Sequence, residues 1–407
     1  NHLVFYVAEA EAPAEKENNT AITNHRVNTL NGTQAISTGF TGSGVVVSLG
    51  DDGIIGPHID YQGRLDQSAA GNSSGDHGDH VAGTIFGAGN RNPLGRGMAP
   101  GAEMIYYTYP ANLYAAEVDY QNRNVRITSS SYSNGCNAGY TAFTVLMDET
   151  SYNNPGLLHV FSAGNSGTTN CNYGAGNLWG NITGGHKVGK NVIAVGNLSR
   201  LDAINSSSSR GPAHDGRIKP DVSAVGTSVF STTDPNSYVV KTGTSMACPG
   251  VSGTLAVLYE AYQTIASKPP VGGLLKALLM NGSDDLGNPG PDFIYGFGRI
   301  NAQKSVKMMQ SNWIFNDSIT QTSNKTHLIE LPSGVKELKI MLYWTDKESF
   351  AGSAKALVND LNLTVQHNSV TYFPLVLNHT PNATLLNQNA VPGIDTLNNV
   401  EQIVIQN

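Results

Sequence analysis

Apolar and polar positions divide the chain into two regions of different character. Residues 45–49 are a β-branched run, and 103–108, 125–131, 157–162 and 192–195 are short segments that read the same way. They predict strands buried on both faces. Residues 79–86 and 138–153 lie between them and read as helical. Strands spaced by helices predict parallel βαβ units, so the expected fold is α/β, a doubly wound and mostly parallel sheet flanked by helices. Ligands collect beyond the carboxyl ends of such strands. Asp51, Ser131, Tyr132, Ser133 and Asn165 all fall at such ends.

Residues 249–265 continue as a long apolar helix, Pro269 and Pro270 interrupt it, and 272–280 predict another. From Ser311 the character changes. Residues 326–331, 337–343, 356–365 and 400–405 read as strands joined by polar turns, an all-β jelly-roll or β-sandwich. The expected domains are 1–20, an N-terminal segment containing a short strand at 2–7 and a linker; 21–311, the α/β body; and 312–407, the β-domain, either complete or truncated at 407.

Four segments carry candidate chemistry. The strand at 45–49 runs into Asp51 and Asp52, so a carboxylate stands at its carboxyl end. His77 and His80 lie one turn apart at the start of a predicted helix. Asn165 sits in a glycine turn after a strand, where its amide can donate to an oxyanion. Ser245 falls in the first turn of the long helix, where unpaired backbone N–H groups favour developing negative charge. Pro249 is expected in that same first turn, where a missing N–H costs little. A serine before a helix is more often only an N-cap. Asp, His and Ser in that chain order nevertheless form one of the known orders of a hydrolytic triad. From the residues alone, Asp51 and Asp52 compete, as do His77 and His80.

Composition narrows the classes. The 407 residues carry a net charge of −7 and are only 14% charged, with 45 glycines. No basic surface for nucleic acid is expected. No apolar run approaches the ~20 residues that span a bilayer. Of the three cysteines, Cys136 and Cys171 sit in Gly/Asn-rich loops where a disulfide is easy, though spacing does not fix the pairing. Cys248, three residues past Ser245, reads as a buried small hydrophobe.

Taken together and in order, the four segments resemble the subtilisin-like serine proteases, the subtilases. The stretches Gly97-Met98-Ala99-Pro100-Gly101-Ala102, Ser208-Ser209-Arg210-Gly211-Pro212 and Asp215-Gly216-Arg217-Ile218-Lys219-Pro220-Asp221-Val222 add to it. So does Leu357-Val358-Asn359-Asp360-Leu361-Asn362-Leu363, which resembles the jelly-roll of the bacterial alkaline branch. The resemblance implies a secreted, monomeric endopeptidase acting on proteins or peptides. It implies Ser245 as nucleophile, His77 as base, Asp51 as its orienting carboxylate and Asn165 as oxyanion donor. Ser131, Tyr132 and Ser133 would form one wall of the primary pocket and Ala163 and Gly164 the other, with Gly243 and Thr244 completing the substrate-binding set. It implies a prodomain acting as chaperone and inhibitor, with residues 1–20 either its remnant or a mature extension. Catalysis needs no cofactor; calcium is a common stabiliser in the family, with Asp60, Asp66 and Asp360 as candidate oxygen donors.

The chain departs from the family pattern at three places. Asp52 and Asp79 stand where hydroxyl residues are usual, and their charge is expected to raise the His77 pKa. Ser133 stands where glycine is common. With no acidic cluster to receive a basic side chain, a broad preference for apolar or aromatic residues is expected. Two alternatives remain: a catalytically silent binding or adhesion protein, and a processing protease of narrow specificity.

Overall fold

A computed structural model describes residues 18–32, 39–72, 75–136, 138–311 and 313–406. The strand expected at 2–7 lies outside the described residues. The centre is one parallel sheet of seven strands: β1 (Val46–Asp51), β2 (Leu65–Asp66), β3 (Glu103–Thr108), β4 (Val125–Ser130), β5 (Leu158–Ser162), β6 (Ile193–Leu198) and β7 (Val222–Val225). Their order is β2-β3-β1-β4-β5-β6-β7. The segments read as buried strands are covered on both faces; β5 and β6 are buried at every position.

From β1 the chain builds outward first through β3 and then, on the other side, through β4. The carboxyl ends of β1 and β4 therefore border the crevice where the winding reverses, the usual place for a ligand site. Register puts Gly50 opposite Ser130, so Asp51 and Ser131 leave the sheet side by side.

Two helices deliver the remaining chemistry. His77–Phe86 packs against Thr244–Ala266, and the latter crosses behind β4, β5, β6 and β7. Val251, Leu255, Ala256 and Leu258 on the long helix are fully buried in the main core. Burying one such side chain contributes about 1.5–3 kcal/mol. An antiparallel hairpin, Val229–Thr233 with Ser237–Lys241, covers the outer side of His77–Phe86.

The C-terminal residues form a β region of small antiparallel ribbons. Glu337–Tyr343 pairs with Val400–Gln406 over seven residues. Val365–His367 pairs with Val370–Tyr372, and Leu375–Val376 with Val391–Pro392. Two expected strands do not form as read. Residues 326–331 are almost wholly exposed, with Leu328 at 86%, and among the described residues no strand pairs with them. In 356–365 carboxylates take the backbone N–H groups that a ladder would have used. Ala356 N–H donates to Asp215, Val358 and Asn359 N–H to Asp346, and Leu363 N–H to Glu401.

This region is anchored to the α/β body through buried polar groups. Lys190 Nζ lies 2.6 Å from Asp346 Oδ2 and donates to the Ala356 carbonyl at 2.7 Å. Asn191 donates to the Asp346 carbonyl at 2.8 Å and accepts from the Asp346 N–H at 3.0 Å.

Candidate active site

Asp51 ends β1 and is buried, while the His77 side chain at the opening of its helix is 31% exposed. His77 Nδ1 lies 2.6 Å from Asp51 Oδ1. Burial alone would push the His77 pKa down. The hydrogen bond and charge of Asp51, with a further contribution from Asp52, outweigh it and hold the imidazole above its ordinary value. Burial raises the Asp51 carboxyl, and the bond to His77 pulls against that rise.

The competing residues differ in their surroundings. Asp51, not Asp52, holds the imidazole nitrogen; Asp52 lies nearby, and its Oδ1 accepts the Gly78 N–H at 2.8 Å and caps the helix start. His80 is fully buried, hydrogen-bonded through Nε2 to the Val229 carbonyl, and burial drops its pKa to about 3. Asp79 turns away as well, accepting the Gly56 N–H at 2.9 Å. Of the two acidic departures, Asp52 is thus the one that raises His77. Asp79 itself is pushed up to about 6, chiefly by burial and then by Asp234, Asp52 and Asp76.

Ser245 is the second residue of its helix, and it meets the strand-end loop after β4. Ser245 Oγ donates to the Ser131 carbonyl at 3.1 Å, and Ser131 Oγ donates to the Ser245 carbonyl at 3.1 Å. Pro249 is not in the first turn as expected, because the helix already begins at Thr244. Lacking an N–H, Pro249 leaves the carbonyl of residue 245 without its intrahelical donor. The Ser131 hydroxyl supplies that donor.

Asn165 follows β5 in the turn made by Gly164, whose φ of 117° suits only glycine. Its Oδ1 accepts from the Thr244 N–H at 2.9 Å and the Thr244 Oγ1 hydroxyl at 3.0 Å. That fixes which way the amide faces and leaves the Nδ2 donors outside those two bonds. A Cβ built on Gly243 would stand 3.3 Å from Nδ2, so glycine keeps this approach open. Gly164 N–H donates to Thr244 Oγ1 at 3.2 Å, which joins Gly164 and Thr244 in the same corner. Tyr132 stacks on Tyr109 and His186, with centroids 4.8 and 5.3 Å away. Ser133 Oγ lies 2.7 Å from Thr183 Oγ1.

Cys136 and Cys171 form a disulfide with Cα atoms 5.4 Å apart. It joins the loop after β4 to the loop beyond Asn165. Cys248 is buried and free.

The three candidate calcium donors do not converge. Asp60 is buried and accepts from Asn90 N–H and Tyr238 OH; Asp66 pairs with Arg123; Asp360 faces Lys355 at 3.5 Å. Each already has a partner in the protein, so they do not fit a calcium cage. Among the described residues, Asp51, Asp52 and His77 are the one cluster of His, Cys, Asp or Glu with metal-ligating spacing.

Sequence reasoning missed Lys187, Thr183 and Ser162, which stand behind the predicted pocket walls. The signal was present in Thr183-Gly184-Gly185-His186-Lys187, a polar, glycine-rich stretch just before β6 with a cation in it.

Within a parallel α/β body the structure holds a buried carboxylate–imidazole pair, Asp51 with His77, and a helix-borne serine, Ser245, whose neighbour Thr244 fixes the Asn165 amide. Residues 42–298 match the family model of the Subtilase family, and the chain belongs to that family. It is a serine peptidase acting on protein substrates, with a chemistry that needs no cofactor. Among similar proteins, serine protease AprX of Bacillus subtilis is 29% identical over 311 residues, covering 66% of this chain and 67% of AprX. Subtilisin DY of Bacillus licheniformis is 29% identical over 283 residues, covering 66% of this chain and 93% of its own. Subtilisin E of Bacillus subtilis is 28% identical over 284 residues, covering 67% and 68%.

Proposed function

We propose that the chain is a secreted serine endopeptidase in which Asp51, His77 and Ser245 act as the catalytic triad and Asn165 as the oxyanion donor. The observation that carries this reading is the 2.6 Å contact between His77 Nδ1 and a buried Asp51 oxygen. It leaves Nε2 as the free nitrogen of the ring. Among the described residues no helix is long and apolar enough to cross a membrane, which is compatible with secretion.

In this reading Ser245 Oγ turns from the Ser131 carbonyl toward the substrate carbonyl carbon, and His77 Nε2 takes its proton. Asp51 keeps Nδ1 protonated and stabilises the imidazolium. The Asn165 amide and the Ser245 N–H, one of the unpaired donors of the helix start, receive the oxyanion. His77 then protonates the leaving amine, and a water repeats the sequence on the acyl-enzyme. An extended peptide lies along Ser131, Tyr132 and Ser133 by strand addition. The body at 21–311 carries this chemistry; the β-domain at 312–407 stabilises it through Lys190 and Asp346.

Labelling with a fluorophosphonate probe tests the assignment. Wild type is labelled and hydrolyses casein, and Ser245→Ala does neither while keeping its fold. A folded wild type that takes no label would favour the binding or adhesion reading.

A further inference from the structure

Four lysines of this chain are buried almost completely: Lys187, Lys190, Lys219 and Lys276. Three of them have carboxylate partners. Lys190 pairs with Asp346, while Lys219 and Lys276 share Asp221, at 2.6, 2.6 and 2.9 Å. Lys187 has none among the described residues. Its Nζ donates instead to three neutral hydroxyls: Thr183 Oγ1 at 2.9 Å, Ser133 Oγ at 3.2 Å and Ser162 Oγ at 3.4 Å. A buried ammonium without a counter-charge is costly, and burial brings its pKa down to about 7. His186 beside it is held neutral by burial and supplies no compensating charge.

The position of this cation matters more than its strain. Ser133 is exposed and belongs to one strand-like wall of the cleft. Thr183 backs the other: its N–H donates to the Ala163 carbonyl at 3.0 Å, and a Cβ on Gly164 would fall 2.2 Å from its Oγ1. Ser162 immediately precedes Ala163. Lys187 therefore lies where the two walls meet at their base. With its three N–H groups directed at hydroxyl oxygens, it leaves those hydroxyls to act as donors. One of the Ser133 and Thr183 hydroxyls donates to the other; when Ser133 donates, the Ala163 carbonyl at 3.4 Å takes the Thr183 proton, and when Thr183 donates, the proton of the exposed Ser133 is free to donate into the cleft. The base of the pocket thus offers hydrogen-bond donors and positive potential.

We propose that the primary pocket accepts an acidic side chain, glutamate or aspartate, from the substrate residue whose carbonyl is attacked, with Lys187 as its charge partner and the Ser133 and Thr183 hydroxyls as the intervening donors. This rests on the protease reading above, and it replaces the apolar preference expected from the sequence. The substrate carboxylate supplies the counter-charge that the protein lacks. An uncharged isostere such as glutamine matches the hydrogen bonds and not the charge.

The test is a set of peptides identical except at that residue, carrying Glu, Asp, Gln, Leu, Phe or Lys, cleaved by wild type and by Lys187→Met. Wild type is expected to favour Glu over Gln by on the order of tenfold or more in kcat/KM, the scale of a close charge pair across an interface. Lys187→Met is expected to abolish that ratio while still cleaving the Leu and Phe peptides. Should the variant not fold, mapping the bonds that wild type cuts in denatured casein decides the matter without it: cuts should cluster after Glu and Asp. A wild type that cuts Leu or Phe peptides faster than Glu, or a Glu-to-Gln ratio unchanged by Lys187→Met, overturns the proposal and leaves the protease reading intact. If no peptide is cut and no fluorophosphonate label is taken, the protease reading itself has failed.

Discussion

Ser131 and Ser245 are joined twice, each hydroxyl donating to the other residue's carbonyl at 3.1 Å. One bond holds the proposed nucleophile in waiting, and the other satisfies the carbonyl that Pro249 cannot serve. Ser131→Ala removes only the second donor. It should cost about 1–3 kcal/mol, the penalty of a buried carbonyl left unpaired. Denaturant unfolding measures that loss, and unchanged stability would mean the carbonyl finds water or another donor. kcat should fall together with stability, because the same bond fixes the start of the Ser245 helix.

Asn165 offers a cleaner separation of binding from chemistry. Its Oδ1 is tied to Thr244, so Asn165→Leu removes an oriented donor and leaves the cleft walls in place. kcat should drop ~10²–10³-fold with little change in KM. An equal rise in KM would place Asn165 in ground-state binding instead.

In the proposed mechanism His77 must be neutral to take the Ser245 proton, and its pKa is raised. Activity should therefore be lost as pH falls through that raised value. Asp52 contributes to the rise, so Asp52→Asn should move the acidic limb of kcat/KM toward lower pH. The amide oxygen can still cap Gly78, which separates charge from structure. An acidic limb that stays where it was removes Asp52 from the account.

Asp79 gives a stability prediction of the opposite sign from most carboxylates. Its folded pKa is raised to about 6, so the folded state disfavours the ionised form. The penalty grows as pH rises from the ordinary carboxylate range to about 6 and is fully present above that. Its Oδ2 is buried and has no partner among the described residues. Asp79→Asn keeps the acceptor for Gly56 and drops the charge. It should stabilise by on the order of 1–3 kcal/mol above pH 6 and by nothing below about pH 4. Melting temperatures of both proteins across that range check it.

Cys136 and Cys171 tie together the loops that follow β4 and β5, where the proposed cleft opens. Replacing both with serine should cost about 2–5 kcal/mol. KM should rise more than kcat falls, since the bridge constrains the proposed substrate-binding walls and touches none of the proposed reacting groups. A purely thermal effect with unchanged KM would limit the bridge to stability.

The sequence was most informative where a residue's role follows from its place on a strand or helix. Short strand-like segments announced the buried parallel strands, and strand ends announced Asp51 and Asn165. Fine selection was less legible. Nothing in the spacing says that Asp52 caps Gly78 or that Asp79 turns to Gly56, because both depend on backbone more than twenty residues away in sequence. Pro249 was misplaced by a turn for a similar reason: the helix starts earlier than its apolar face. Residues 356–365 look like a strand in pattern, yet their N–H groups go to carboxylates from Asp215, Asp346 and Glu401. Lys187 was overlooked because a lone lysine in a glycine-rich loop reads as solvated, and only tertiary structure removes its water.

The attachment of the β region has a consequence for a protein that lives among its own kind. Residues 313–336 contain no strand and are exposed at nearly every position, Asp317 and Glu330 included. Such a connector is an open target for any neighbouring copy of the enzyme. The grip between the two parts lies elsewhere, in Lys190, Asn191, Asp346 and the Ala356 carbonyl. Severing the connector removes none of these bonds. The nicked protein therefore remains one body in solution, appearing as two fragments only when it is unfolded for a gel.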